Sequence, residues 1–343
     1  MKLLVLGGTR FLGKHIVEAA MKKGHSVTLF NRGSQQNLFP EAEHLIGDRE
    51  NDVRALQNRS WDAVVDTCGF VPKHIEDVMQ QLSSRIKHYT FISSLSVLPN
   101  PIKAGIDEKA EVETISSEIL QEIYADETKQ KRLIHYGALK ALCEKTADEY
   151  MPGKVLHIRA GQLVGPNDYT DRLPYWVNRI AKGGTVLAPG DPDRPVQLID
   201  TRDLGKWIVE MAEKQVAGVF NATGPQVTME ELLNECKKVT GSNAEIKWVS
   251  EKFLFDEKIS PWVQMPLWIP EHFGIDGSDS EPWKGFFRLN IEKAIEHGLT
   301  FRPLDYTLKD VYEWDLARLD RERKAGISLH QEQKLLEKWK VYY

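Results

Sequence analysis

Lys2-Leu3-Leu4-Val5-Leu6-Gly7-Gly8-Thr9-Arg10-Phe11-Leu12-Gly13 opens the chain and decides the fold. Its apolar run, Lys2–Leu6, is short and uninterrupted, the pattern of a strand buried on both faces of a parallel sheet. Three glycines then break it, His15–Lys23 reads as a helix stopped by Gly24, and Ser26–Phe30 reads as the next strand. Strand, glycine turn, helix and strand within about 30 residues form a unit whose backbone N–H groups, at a helix N-terminus, suit a pyrophosphate. Gly7, Gly8, Thr9, Arg10, Phe11, Leu12 and Gly13 are therefore candidate dinucleotide contacts.

The turn is unusual, because Arg10 stands where G-x-x-G-x-x-G has its middle glycine. An arginine there can reach a phosphate but keeps the backbone from its closest approach. The second strand ends in Phe30-Asn31-Arg32. An NAD site usually places a carboxylate there for the ribose 2′-hydroxyl, whereas arginine accommodates a 2′-phosphate. Asn31 and Arg32 thus favour NADP(H) over NAD(H).

Strands are expected again at Glu43–Ile46, Trp61–Thr67 and His88–Ser94. Ligands of such sheets bind beyond the carboxyl ends of the strands. Asp48 and Arg49 are placed there, where an acidic loop residue can meet an adenine amino group, as are Cys68, Ser93 and Ser94. Cys68 counts with the cofactor contacts and reads as a small packing residue, not a nucleophile.

About 130 residues behind the glycine turn lies Tyr136-Gly137-Ala138-Leu139-Lys140. On a helix the i, i+4 spacing puts the phenol and the ammonium on one face. A phenol loses its proton near pH ~10. A positive charge ~4 Å away, at an effective dielectric of about 20, favours the phenolate by about 4 kcal/mol. That brings Tyr136 towards the range of a useful acid/base.

These pieces resemble the short-chain dehydrogenase/reductase superfamily, in its extended branch of NAD(P)-dependent epimerases and dehydratases. Gly7–Gly13, Phe91–Val97, Tyr136–Lys140, Arg159–Pro166 and Asn221–Gly224 carry the resemblance, from Met1 to about residue 225. It implies Tyr136 as acid/base, Lys140 as its electrostatic partner and a cofactor ribose ligand, and Ser94, three residues before Val97, as donor to the substrate oxygen. Ser93 is its rival. The G-G-x-x-x-x-G turn, Phe30–Gly33 and Gly47–Arg49 are similar to an atypical subgroup of proteins labelled isoflavone reductases, sugar dehydratases and chloroplast stem-loop RNA-binding proteins. Nucleotide-sugar epimerases carry Asn where Gln162 sits and Arg where Val196 aligns, with Arg194 two residues upstream. Both departures weaken a nucleotide-sugar reading. Family members often form homodimers through helices around the Y-x-x-x-K region.

The expected fold is α/β, a Rossmann-like doubly wound parallel sheet (residues 1–165) with a smaller C-terminal α/β substrate lobe (166–343), partly interleaved. At 343 residues the chain exceeds what one hydrophobic core usually supports. The net charge of −5, without a basic stripe, makes nucleic acid an unlikely partner and a small molecule the expected one. Cys68, Cys143 and Cys236 show neither metal-ligand spacing nor a disulfide framework, which fits a cytoplasmic protein. No run approaches a membrane span.

In the second half, helices are expected at Tyr169–Lys182 after Asp168, at Asp203–Lys214, at Met229–Thr240 with Thr228 as N-cap, and at Ser328–Trp339. Strands are expected at Thr185–Gly190, Gln197–Asp200 and Gly218–Ala222. Asp200 and Asp203 read either as caps or as crevice residues. The charged insertion Pro101–Lys131 reads as a solvated helical cap, with an acidic recognition lid as its alternative. Pro261–Phe287, dense in Trp and Pro, reads as lobe packing, with a stacking surface for a sugar or aromatic ligand as the alternative. The leading function is hydride transfer at a hydroxyl or carbonyl carbon by epimerase, dehydratase or reductase chemistry. RNA binding on the same fold and a catalytically silent cofactor-binding regulator are the alternatives.

Overall fold

Every apolar run of the first half forms a strand in the computed structural model, which describes all residues except 36, 100–102, 319–321 and 343. The chain runs β1 (Lys2–Leu6), α1 (Phe11–Lys22), β2 (Ser26–Asn31), β3 (Glu43–Ile46), β4 (Trp61–Asp66), α2 (Pro72–Leu82) and β5 (Ile86–Ser94). After a 3-10 turn at Leu95–Val97 come α3 (Ser117–Ala125), α4 (Gln130–Ile134), α5 (Tyr136–Tyr150) and β6 (Val155–Ala160). The chain continues with β7 (Gln162–Val164), α6 (Arg172–Ala181), β8 (Thr185–Pro189), β9 (Pro195–Asp200), α7 (Thr201–Glu213) and β10 (Gly218–Ala222). It ends with β11 (Gln226–Thr228), α8 (Met229–Thr240), β12 (Glu245–Val249), α9 (Glu251–Asp256), α10 (Glu292–Glu296), α11 (Leu304–Leu316) and α12 (Leu329–Tyr342).

Seven strands form one sheet in the order β10-β6-β5-β4-β1-β2-β3, and every pairing is parallel. The order reverses between β1 and β4, so a crevice opens at their carboxyl ends. One face is covered by Ile16, Val17 and Ala20 of α1 with Leu204, Ile208 and Met211 of α7. The other is covered by Ile75, Val78 and Leu82 of α2 with Cys143 and Ala147 of α5. The lobe has its own core around Trp176 and Trp268, both fully buried, beneath a three-stranded sheet (β11-β9-β7) and the β12-β8 pair. The three cysteines are unpaired, and among the described residues no helix is long and apolar enough to cross a membrane.

Several boundaries differ from the sequence reading for local reasons. Helix α1 starts four residues early, directly after Arg10. Helix α6 starts at Arg172 behind Asp171, because Asp168 is spent on a tight turn, accepting from the Thr170 amide and hydroxyl at 2.8 and 2.6 Å. Asp200 caps α7 and also holds Arg202 and Thr307, while Asp203 pairs with Arg302, so both carboxylates are structural. The N-cap expected at Thr228 forms, and Glu231 completes it as a capping box.

The charged insertion, whose first two residues lie outside those described, is not a plain solvated cap. Ile106, Ala110 and Val112 pack against Leu95, Val97, Leu98, Ala141 and Leu289. The Glu108 carboxylate accepts from the Asn221 amide of β10 at 2.8 Å. Helix α3 then lays Ile119, Leu120 and Ile123 against Val71 and Leu139. An apolar residue at every few positions buys the segment its place in the core.

Candidate active site

Ser94 ends β5 and Tyr136 begins α5, so strand and helix meet at these two side chains. What lets them meet is Gly137. A Cβ there would stand 1.9 Å from the Ser96 carbonyl oxygen, so only glycine allows the 3-10 turn to lie on the first turn of α5. The Ser94 hydroxyl lies close enough to the Tyr136 phenol to draw its pKa down. It also accepts from the Ser96 amide at 3.1 Å and lies 3.1 Å from the Ser96 hydroxyl. Ser93, the rival, is buried with its hydroxyl unpartnered.

Lys140 lies one turn beyond Tyr136, as its spacing predicts, but its ammonium is not spent on the phenol. It donates to the Gly69 and Ile92 carbonyls at 2.8 and 2.5 Å and sits 4.0 Å from the centre of the Phe91 ring. Burial lowers this lysine to about 8. Burial likewise pushes the Tyr136 phenol above its usual value, and the Ser94 hydroxyl pulls it partly back. The expectation that the ammonium depresses the phenol is corrected: desolvation prevails, and the carbonyls of Gly69, beyond β4, and Ile92, within β5, claim the charge.

At the glycine turn, Gly7 and Gly8 take φ of 97° and 81°. Arg10 adopts an extended backbone and is exposed, so the left-handed conformation falls on Phe11, at φ 41°. Phe11 and Leu12 are buried, Thr9 is half-buried, and Gly13 sits against the Gly8 backbone. No side chain caps the N-terminus of α1, and no acid lies in its first turn. Those amides and the bare glycines fit a pyrophosphate. At the end of β2 the Asn31 side-chain Oδ1 accepts from the Gly33 amide at 2.8 Å, while its Nδ2 is buried without a partner. Such an orphaned donor fits a ribose or phosphate oxygen. Arg32 beside it is exposed.

Arg49 does not join this group. Its guanidinium turns inward and grips Asp66 with two bonds of 2.6 and 2.8 Å, reaching the His74 carbonyl at 2.9 Å and the Cys68 sulfur at 3.2 Å. Tyr89 donates to the same carboxylate at 2.6 Å. Burial alone would raise Asp66, but Arg49 and Tyr89 hold it down at about 2. Burial raises the Cys68 thiol, so it is a neutral packing group. The Asp48 carboxylate accepts from the Glu50 amide and from Asn51, shaping its own loop. The sequence reading missed Asp66; its only signal was an acid closing the apolar run Ala63–Val65.

A cavity of about 80 Å³ adjoins Ser94. Gly161 and Thr223, just past β6 and β10, form its floor, and Trp262, Phe286 and Phe287 form its wall. In the Trp/Pro-rich segment Trp268 is core, as the packing reading expects, while Trp262 lines the cavity.

The fold and these motifs have clear relatives. The sequence profile of the NAD dependent epimerase/dehydratase family matches residues 3–223, and the chain belongs to that family. It is an NAD(P)-dependent enzyme of the epimerase/dehydratase type. It is 24% identical to the chloroplast stem-loop binding protein of 41 kDa b of Arabidopsis thaliana, over 95% of this chain and 82% of that protein. It is 22% identical to the phenylcoumaran benzylic ether reductase TP7 of Nicotiana tabacum, over 78% and 82%. UDP-glucuronic acid 4-epimerase from Bacillus cereus, solved in complex with NAD, superposes with a TM-score of 0.65 at 16% identity, covering 92% of this chain and 96% of that one.

Proposed function

We propose that the enzyme moves a hydride to or from a hydroxyl or carbonyl carbon of a small molecule, with Ser94, Tyr136 and Lys140 as its reacting set and NADP(H) as the preferred dinucleotide. The observation that carries this reading is the placement of Ser94, at the carboxyl end of β5, beside Tyr136 at the start of α5, one helical turn from a buried lysine. The dinucleotide, when bound, supplies or accepts the hydride.

The chain's own part is to hold an oxygen and move a proton. With its pKa raised by burial, Tyr136 is protonated at neutral pH and donates to a carbonyl oxygen as that oxygen gains charge. Ser94 donates a second hydrogen bond to the same oxygen. Lys140 has three donors and spends two on Gly69 and Ile92, which leaves one for a ribose hydroxyl. Gly7–Gly13 would hold the pyrophosphate, and Asn31 and Arg32 the adenosine ribose with its 2′-phosphate. In this reading residues 1–165 bind the cofactor and 166–343 shape the substrate site.

Fluorescence titration with NADPH and NADH tests the cofactor half. Arg32→Ala should weaken NADPH at least tenfold more than NADH, and equal losses would remove the preference. Tyr136→Phe should keep cofactor affinity and abolish turnover. The Arabidopsis relative favours RNA binding as a second reading. The net charge of −5 speaks against it, and a filter-binding titration with a stem-loop RNA at physiological salt should detect no tight complex.

A further inference from the structure

The cavity beside Ser94 is lined without a single charged side chain. Its polar groups are few, and most are already engaged. The Gln197 side chain donates to the Gly224 and Leu289 carbonyls and accepts from the Leu289 amide. The Gln162 amide nitrogen donates to the Leu163 carbonyl. The Thr223 hydroxyl remains, buried and unpartnered, together with the Gln162 carbonyl oxygen and the Ser94–Ser96 pair.

The wall is aromatic and held under strain. Trp262 sits at φ 66°, a conformation unfavourable for a bulky residue that recurs at ligand clamps. Its amide donates to the Met265 carbonyl at 3.1 Å. The indole meets Phe286 edge-on at 5.9 Å and lies nearly parallel to Phe287 at 6.4 Å. The Arg172 guanidinium lies 4.5 Å from the centre of the indole ring and is not among the groups lining the cavity.

A nucleoside diphosphate sugar would bring two phosphates and a ring carrying several hydroxyls. Buried hydroxyls without partners are costly, and this wall has too few partners to offer. A flat apolar ring loses nothing here and gains edge and face contacts. We infer that the substrate is an uncharged aryl carbinol or its ketone, its ring against Trp262, Phe286 and Phe287, its reacting oxygen at Ser94, and a second oxygen on the ring accepting from Thr223. This rests on the reading of Ser94 and Tyr136 as the reacting pair.

The test is calorimetric binding of 4′-hydroxyacetophenone and of UDP-glucose to the full chain, with and without saturating NADPH. The ketone should bind and UDP-glucose should not. Phe286→Ala should weaken the ketone about tenfold or more. Thr223→Val, which removes a hydroxyl that has no partner in the free protein, should also weaken it severalfold while holding or raising the unfolding midpoint. That combination separates a ligand contact from a packing residue. Failure of the ketone to bind, UDP-glucose binding more tightly, or unchanged ketone affinity in both variants would overturn the inference. NADPH titrated alone reports on the cofactor reading separately, so a protein that binds NADPH but not the ketone loses only the substrate class.

Discussion

Arg49 invites two incompatible readings, and one pair of substitutions decides between them. Its position after β3 suggests a cofactor contact; its geometry makes it half of a buried, doubly bonded ion pair with Asp66. Removing one member of such a pair leaves a charge buried alone, at a cost of about 3–5 kcal/mol. Unfolding entropy of about 2.1 cal/mol/K per residue gives a chain of this length roughly 0.7 kcal/mol/K. Arg49→Met and Asp66→Asn should therefore each lower the melting temperature by about 4–7 °C. The double variant should fall well short of the sum, because the second substitution relieves the charge stranded by the first. Scanning calorimetry of the four proteins measures this, and NADPH titration well below the transitions completes it. An Arg49→Met protein with an unchanged melting temperature and lost NADPH affinity would refute the ion-pair reading. The pair also sets an acid limit. Asp66 is about 2 in the folded chain, below its unfolded value, so its contribution is complete above about pH 4 and fades as pH falls towards 2.

On the proposed mechanism the raised Tyr136 phenol gives a directional pH dependence: carbonyl reduction would use its protonated form and should stay level across neutral pH. Alcohol oxidation needs the phenolate and should climb about tenfold per unit into the alkaline range, so an oxidation profile already flat from pH 7 would contradict the burial argument. Gly137→Ala places a methyl group into the Ser96 carbonyl oxygen and should destabilise the protein by about 1–3 kcal/mol or more, with a larger loss of turnover than of cofactor affinity. A fully active, fully stable variant would mean that α5 tolerates a shift away from Ser94.

Much of this was legible along the chain because local pattern carried it. Lys2–Leu6 and Glu43–Ile46 are strands to the residue, and Thr228 is the N-cap its position suggested. What stayed hidden depends on direction in space. Nothing near Arg49 in sequence says that its side chain turns inward to an acid 17 residues away. Nothing in Tyr136–Lys140 says that two carbonyls, one of them 71 residues away, outbid the phenol for the ammonium. The insertion read as polar because its charges outnumber Ile106, Ala110 and Val112, yet those three fix its course through the core.

Strand β10 completes the sheet beside β6, but roughly 60 residues of lobe separate the two in sequence, a stretch that a ribosome working at about 5–20 residues per second needs several seconds to add. Through that interval the nascent protein presents β6, a strand buried along its whole length in the finished fold, as a bare edge, the kind of surface on which chains pair with the wrong neighbour. Yield in the cell should accordingly depend on translation speed and chaperone supply across this interval, and a fragment cut at residue 165 would carry the unfinished edge permanently.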